Sequence, residues 1–308
     1  MRKSVLIALI VAIALMILGV VLAGAALASV GFRFEGLSTV ETIHGEYTIT
    51  EDFSSIDIHT LSADVRIRQS EGDICRIEYA TRSDLTYDVK SGTLYVKTES
   101  TEPIAHISIG SVSEYVTLYL PRDTYEKLTI HTTSGDIYVF PAFEAVKNAE
   151  ISSTSGEISF IGMVTETLTA QSASGDIVIH EPNAKVVQAE AISGDVTLSA
   201  VYAEEVSVKT TSGEVELDSV TAKNMLFVKT TSGDIELYCD AGEIYLESTS
   251  GDIEGSIGSA KNYIVDTISG SVRIPPIDPQ ASVCEIHTTS GAIKIKTAHD
   301  AVNSFGND

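Results

Sequence analysis

Lys209 to Leu217 reads KTTSGEVEL, and twenty residues later Lys229 to Leu237 reads KTTSGDIEL. Looser copies surround both. Aligned on Ser-Gly, the chain holds nine, with glycines at Gly135, Gly156, Gly175, Gly194, Gly213, Gly233, Gly251, Gly270 and Gly291, spaced 18 to 21 residues apart. A serine precedes every one of them, and the following residue is acidic in seven: Asp136, Glu157, Asp176, Asp195, Glu214, Asp234 and Asp252. Ser271 and Ala292 take that place in the last two.

On either side of the turn, apolar and polar residues alternate with the period of a half-buried strand. Val206, Val208 and Thr210 share one parity before Gly213, and Val215 and Leu217 share it after. The same slots hold Leu128, Ile130, Thr132, Ile137 and Val139 in the first copy and Cys284, Ile286, Thr288, Ile293 and Ile295 in the last. Glycine at the turn is expected to supply a positive φ, and the neighbouring Ser and Asp to bond local backbone groups. The fold class is therefore all-β. The favoured architecture is a β-solenoid of about nine Ser-Gly-Asp/Glu coils, in which equivalent positions stack ~4.8 Å apart. The alternative is a meander of repeated β-hairpins with Ser-Gly as the loop. Segments opposite the turn, such as HEPNAK and IPPIDPQAS, absorb the irregular spacing.

Four segments follow from this pattern. Residues 1–31 read as an N-terminal transmembrane anchor or uncleaved signal, 32–123 as a strand-rich capping region, 124–297 as the solenoid repeats and 298–308 as a C-terminal tail. No charge falls between Lys3 and Arg33, and Val5 to Val30 would make about 39 Å of helix, enough to cross a hydrocarbon core of ~30 Å. Arg2 and Lys3 place the N-terminus in the cytoplasm and the repeats outside. The alternative is a secreted protein, with a leader cleaved after Ala26-Leu27-Ala28. Tyr47, Tyr79, Tyr87, Tyr95, Tyr115 and Tyr119 concentrate in the capping region, and Lys294 and Lys296 read as guards of the far edge.

The formal charge of −23, from 43 acids against 20 bases, excludes nucleic acid as a partner, because phosphate backbones require clustered positive charge. Expected partners are the lipid bilayer, through the N-terminal helix, and an extracellular polymer or protein. Cys75, Cys239 and Cys284 are too few for a disulfide framework. Sequential stacking sets the copies of Cys239 and Cys284 three apart, roughly 14 Å along the axis, so both read as free core residues.

The order SIDIHTLSADVRIRQ, SGTLYVKT, YVTLYLPRDTYEKLTIHTTSGDIYV and then reiterated SGDI units, from roughly Phe53 to Lys296, resembles the family known as "putative adhesins", a domain of unknown function in bacterial and archaeal envelope proteins. Its most specific part is the strand ending Leu120-Pro121, followed by Leu128-Thr129-Ile130 and the first Ser-Gly-Asp-Ile. The resemblance implies a β-helix-like repeat domain at the cell surface and brings no agreed catalytic residues.

Function reads as a membrane-anchored, outward-facing adhesin or structural binding module of the envelope. Alternatives are an accessory component of envelope-stress sensing and a β-helix polysaccharide hydrolase or lyase. Carboxylates stacked one or two rungs apart match the ~5 to 9.5 Å separations of glycosidases, but any acid repeated on a solenoid does so, and a working pair needs one member made different by its surroundings. The chain has no tryptophan for sugar stacking, no glycine-aspartate nonapeptide for calcium, and no histidine cluster. It reads as a non-enzyme without cofactor or metal. The expected contact surface is the outward parity after the first turns, Tyr138, Phe140, Ile161 and Val178, which gives way to Glu216, Asp218, Glu236 and Glu254 further along.

Overall fold

The computed structural model describes residues 42–99, 113–140 and 143–297. The expected membrane segment lies outside them, and among the described residues no helix is long and apolar enough to cross a membrane. Twenty-three strands join in one continuous sheet. Successive repeats pair in parallel and in register: Val196 with Val215, Val215 with Ile235, Val206 with Leu226. A hairpin meander would pair them antiparallel, so the architecture is the β-solenoid, of about eight turns. Nine glycines in a column leave eight steps between them.

The two-residue alternation builds the core directly. Ile137, Ile158, Ile177, Val196, Val215, Ile235, Ile253 and Ile293 stack as one fully buried column, and Leu168, Val187, Val206, Leu226, Ile244 and Cys284 line the facing strand. A third side is closed by Ala184, Ala203, Ala222 and Ala241, in register and buried. Small side chains there let the coil turn its corner without crowding the β-branched columns opposite.

The turn glycines are required for a different reason from the one expected. None of the nine has a positive φ; among glycines that conformation belongs to Gly92 and Gly255. A Cβ on Gly213 would stand 2.0 Å from the carbonyl oxygen of Gly194, and one on Gly233 would stand 1.9 Å from that of Gly213. Each glycine thus seats against the carbonyl of the rung below, and steric exclusion of a side chain fixes the residue.

The stacking order departs from the sequence order at both ends. Gly291 seats on Gly251, and Gly270 seats on Gly291. The strand Val283–Ser290 accordingly lies between Ile235–Ser250 and Asn262–Ser269. The chain skips a level, lays down the outermost coil, and returns to fill the gap. Cys284 therefore stacks on Ile244, only five residues along the same strand from Cys239, rather than three levels away. Both remain free and buried, and burial pushes their thiols, and that of Cys75, up to about 12. Lys294 does not guard an edge, because it lies between Glu254 and Arg273.

At the other end, Ser55–Thr60 and Asp64–Gln69 pair in parallel with Thr124–Thr132 and Ile137–Val139. They form a further rung in which Ala63 stands where later rungs have glycine. Thr93–Glu99 and Tyr115–Leu120 add one more parallel level, and beyond them the sheet turns antiparallel, Cys75–Thr81 pairing with Tyr115–Leu120 and with Ile43–Ile49, and Asp84–Lys90 pairing with Thr93–Glu99. The last strands at this end, Ile43–Ile49 and Asp84–Lys90, therefore run antiparallel to their neighbours.

Candidate functional site

Three residues before seven of the nine glycines stands a buried hydroxyl: Thr132, Ser153, Ser172, Thr210, Thr230, Ser248 and Thr288. Ser153 accepts the Gly156 N–H at 2.8 Å and donates to the Gly135 carbonyl at 3.4 Å; Ser172, Thr210 and Thr230 donate to the carbonyls of Gly156, Gly194 and Gly213 at 3.3, 3.2 and 3.4 Å. These bonds satisfy the carbonyls that the glycines crowd. Ala191 interrupts the series.

The acids after the glycines form a second ladder. Oδ1 of Asp136, Asp176, Asp195, Asp234 and Asp252 accepts the backbone N–H of Glu157, Asp195, Glu214, Asp252 and Ala292 at 2.7–2.9 Å. The acidic column is thereby explained by backbone capping between rungs, and it too passes from Asp252 to Ala292 and omits Ser271. The two glutamates behave differently. The Glu157 carboxyl is raised by partial burial and by the charges of Asp136 and Asp176, and that of Glu214 by partial burial and by Glu236, Asp195 and Asp234. A carboxyl raised in the fold costs stability at neutral pH, and the cost is relieved as pH falls through the folded value toward the ordinary range near ~4.3. Glu157→Gln and Glu214→Gln should each raise the melting temperature by about 1 °C at pH 7. Near pH 4 the advantage should vanish, which thermal melts across that range will read out.

Beside the hydroxyl ladder runs a groove of about 560 Å³. One wall is the register column Ser152, Gln171, Glu190, Lys209 and Lys229; the other is Thr154, Ala173, Ile192, Thr211 and Thr231; the floor is Thr132, Ser153, Ser172, Ala191 and Thr210. The groove crosses six rungs, about 24 Å along the axis. Its floor hydroxyls are committed to the backbone, so the polar groups offered to a ligand come from the walls. Lys209 Nζ bridges Glu190 at 2.8 Å, and Lys229 Nζ bridges Glu247 at 2.8 Å. At mid-length the hydroxyls give way to Ala173, Ala191 and Ile192, the last 59% exposed. An apolar spot flanked by polar side chains at the ~4.8 Å rung spacing suits an extended ligand with alternating apolar and hydroxylated faces.

The surface expected from sequence lies on a different side. Tyr138, Ser159 and Val178 occupy consecutive rungs of one column, so a serine parts the tyrosine from the valine. Tyr138 and Phe140 stack with centroids 6.5 Å apart, the Tyr138 hydroxyl donates to Asp136 at 3.2 Å, and the Arg68 guanidinium sits 4.9 Å over the Phe140 ring. Ile161 and Val178 are half-buried. The column continues through Thr197 to Glu216, Glu236 and Glu254. Sequence reasoning passed over the groove because its walls mix residue types, although Ala173 and Ile192 interrupt a column of threonines. Among the described residues no group of three or more His, Cys, Asp or Glu is arranged to hold a metal ion.

Among curated proteins none matches the chain. Solved structures similar to it include a "putative adhesin" of Bacteroides fragilis at 16% identity, covering 83% of this chain and 97% of that one with a TM-score of 0.44. A "putative lipid binding protein" of Parabacteroides distasonis is similar at 14% identity, over 85% and 98% of the two chains, with a TM-score of 0.48. A "putative adhesin" of Parabacteroides merdae is similar at 14% identity, over 84% and 98%, with a TM-score of 0.46. The family model Toastrack DUF4097 matches residues 53–238 and, in a second overlapping match, 165–305. Those matches cover well over half the sequence, and the chain belongs to the Toastrack DUF4097 family.

Proposed function

We propose that this protein is a binding module of the cell envelope, held by its N-terminal segment in the membrane with the solenoid outside, and that it binds a linear, hydroxyl-rich polymer along the groove of Ser152 to Thr231. The observation that carries this reading is the groove itself: polar wall side chains follow one another at the rung spacing, and the apolar spot at Ile192 interrupts them at mid-length. Binding is favoured over cleavage because Glu190 is the one carboxylate among the described lining residues, and Lys209 neutralises it. Acid-base cleavage of a glycosidic bond calls for a second carboxyl in a contrasting environment.

The test is a glycan array probed with the full chain in detergent. Retention of linear polysaccharides is expected, with Ile192→Glu weakening it at least tenfold and Glu254→Gln, on another side, leaving it unchanged. Ile192 is exposed, so the variant should melt with the parent. Absence of glycan binding, or binding indifferent to Ile192→Glu, would remove the groove from consideration.

A further inference from the structure

The two ends of the stack are built differently. The N-terminal end finishes in the antiparallel strands Ile43–Ile49 and Asp84–Lys90, each paired on one side, whereas the outermost coil at the other end finishes in parallel strands, Asn262–Ser269 on Val283–Ser290 and Val272–Arg273 on Ile293–Thr297. Among the described residues nothing lies on its outer edge. Its inward Val265 and Thr267 are half-buried where the same slots elsewhere are sealed, and the Thr267 Oγ1 is buried without a hydrogen-bond partner. Ile264, Ile268, Val272 and Ile277 are 49%, 82%, 46% and 53% exposed. An open parallel edge with a bared core is a template for strand pairing. Pro275, Pro276 and Pro279 offer no N–H, which confines pairing to the stretch beginning at Asn262.

Charge identifies the occupant. The acidic column stops two rungs short of this end, because the two outermost coils carry Ala292 and Ser271. From Asn262 to Ser282 there are two acids, Asp266 and Asp278, against Arg273, in a chain whose formal charge is −23. A strongly acidic molecule meets another copy of itself most easily where its own charge has been withdrawn. An isologous contact also closes after two copies, because each copy uses the same edge.

We propose that the open end is a self-association surface on which a second copy of this chain docks tail to tail, the two Asn262–Ser269 edges meeting antiparallel. On the membrane-anchored reading above, on which this consequence rests, the anchors then lie at opposite ends of the pair, and association joins two facing membranes.

Light scattering of the full chain in detergent, with the micelle mass subtracted, should give the mass of two chains. Ile264→Arg/Ile268→Arg, which sets like charges against each other across the contact, should reduce it to one chain without lowering the melting temperature. Amide exchange in Asn262–Ser269 should slow as concentration rises in the parent and not in the variant. One chain at every concentration, or a two-chain species that the arginines leave intact, would overturn the proposal. So would dimerisation appearing only after removal of residues 298–308, which would make the chain's own tail the occupant. Reconstituted in phosphatidylcholine vesicles, the parent should cluster them and the variant should not. Pairing in detergent without clustering would leave self-association standing and count against the anchored, outward-facing reading.

Discussion

Gly213→Asn is expected to lower stability by about 2–4 kcal/mol, nearly as much as Gly213→Val. The comparison separates two reasons for a turn glycine. Asparagine tolerates positive φ well, so a glycine kept for its backbone conformation would accept it at little cost. Gly213 does not have positive φ, and any Cβ there meets the Gly194 carbonyl at 2.0 Å, so valine, alanine and asparagine all force the two rungs apart. Asp234→Asn should cost under about 1 kcal/mol, because an amide oxygen still accepts the Asp252 N–H. Thermal melts of the four variants would decide the point: asparagine behaving like wild type at position 213 would restore the conformational explanation.

Lys261→Ala is expected to cost about 2–4 kcal/mol, although nothing in the surrounding sequence marks this lysine. Its side chain is 1% exposed, and its ammonium donates to the carbonyls of Ala241 and Gly242, the latter at 3.1 Å, and to Ser282 Oγ at 2.8 Å. Those partners lie on the two coils beneath it, so one side chain reaches through the level that the chain first skips and later fills. Truncation leaves both carbonyls without this donor and opens a cavity. Lys261→Met keeps the stem and should lose less, about half as much. Equal melting temperatures for wild type and Lys261→Ala would show that the ammonium bears no part of the stack.

Most of the fold is legible in the repeat. Alternation assigns Val206, Val208, Val215 and Leu217 to the core, where each is fully buried, and stacking of like residues follows from parallel pairing in register. What escapes a Ser-Gly alignment is instructive. The rung at Ala63 reads HTLSADV against HTTSGDI at Gly135, a visible correspondence hidden only by insisting on glycine. Alanine is accepted there, whereas a Cβ at Gly135 would collide with the Ala63 carbonyl at 2.2 Å. The exchange of the last two coils has no local signature, because every rung presents the same edge and sequence cannot say which edge a rung will find. The groove escapes for a related reason: its walls draw one residue from each of several coils, so neighbours in space are about nineteen residues apart in the chain.

The open end depends on which rung lies on which, and paired cysteines at the turn serines test that order most directly. In the stack Ser290 pairs with Ser250 on one side and Ser269 on the other, all three exposed. Adjacent rungs place Cα atoms ~4.8 Å apart, within disulfide reach, and alternate rungs twice as far, beyond it. Under mild oxidation Ser250→Cys/Ser290→Cys should cross-link within the chain, seen as a mobility shift reversed by reductant, while Ser250→Cys/Ser269→Cys should stay reduced. A cross-link between positions 250 and 269, with none between 250 and 290, would mean that the coils stack in sequence order and would contradict the arrangement described.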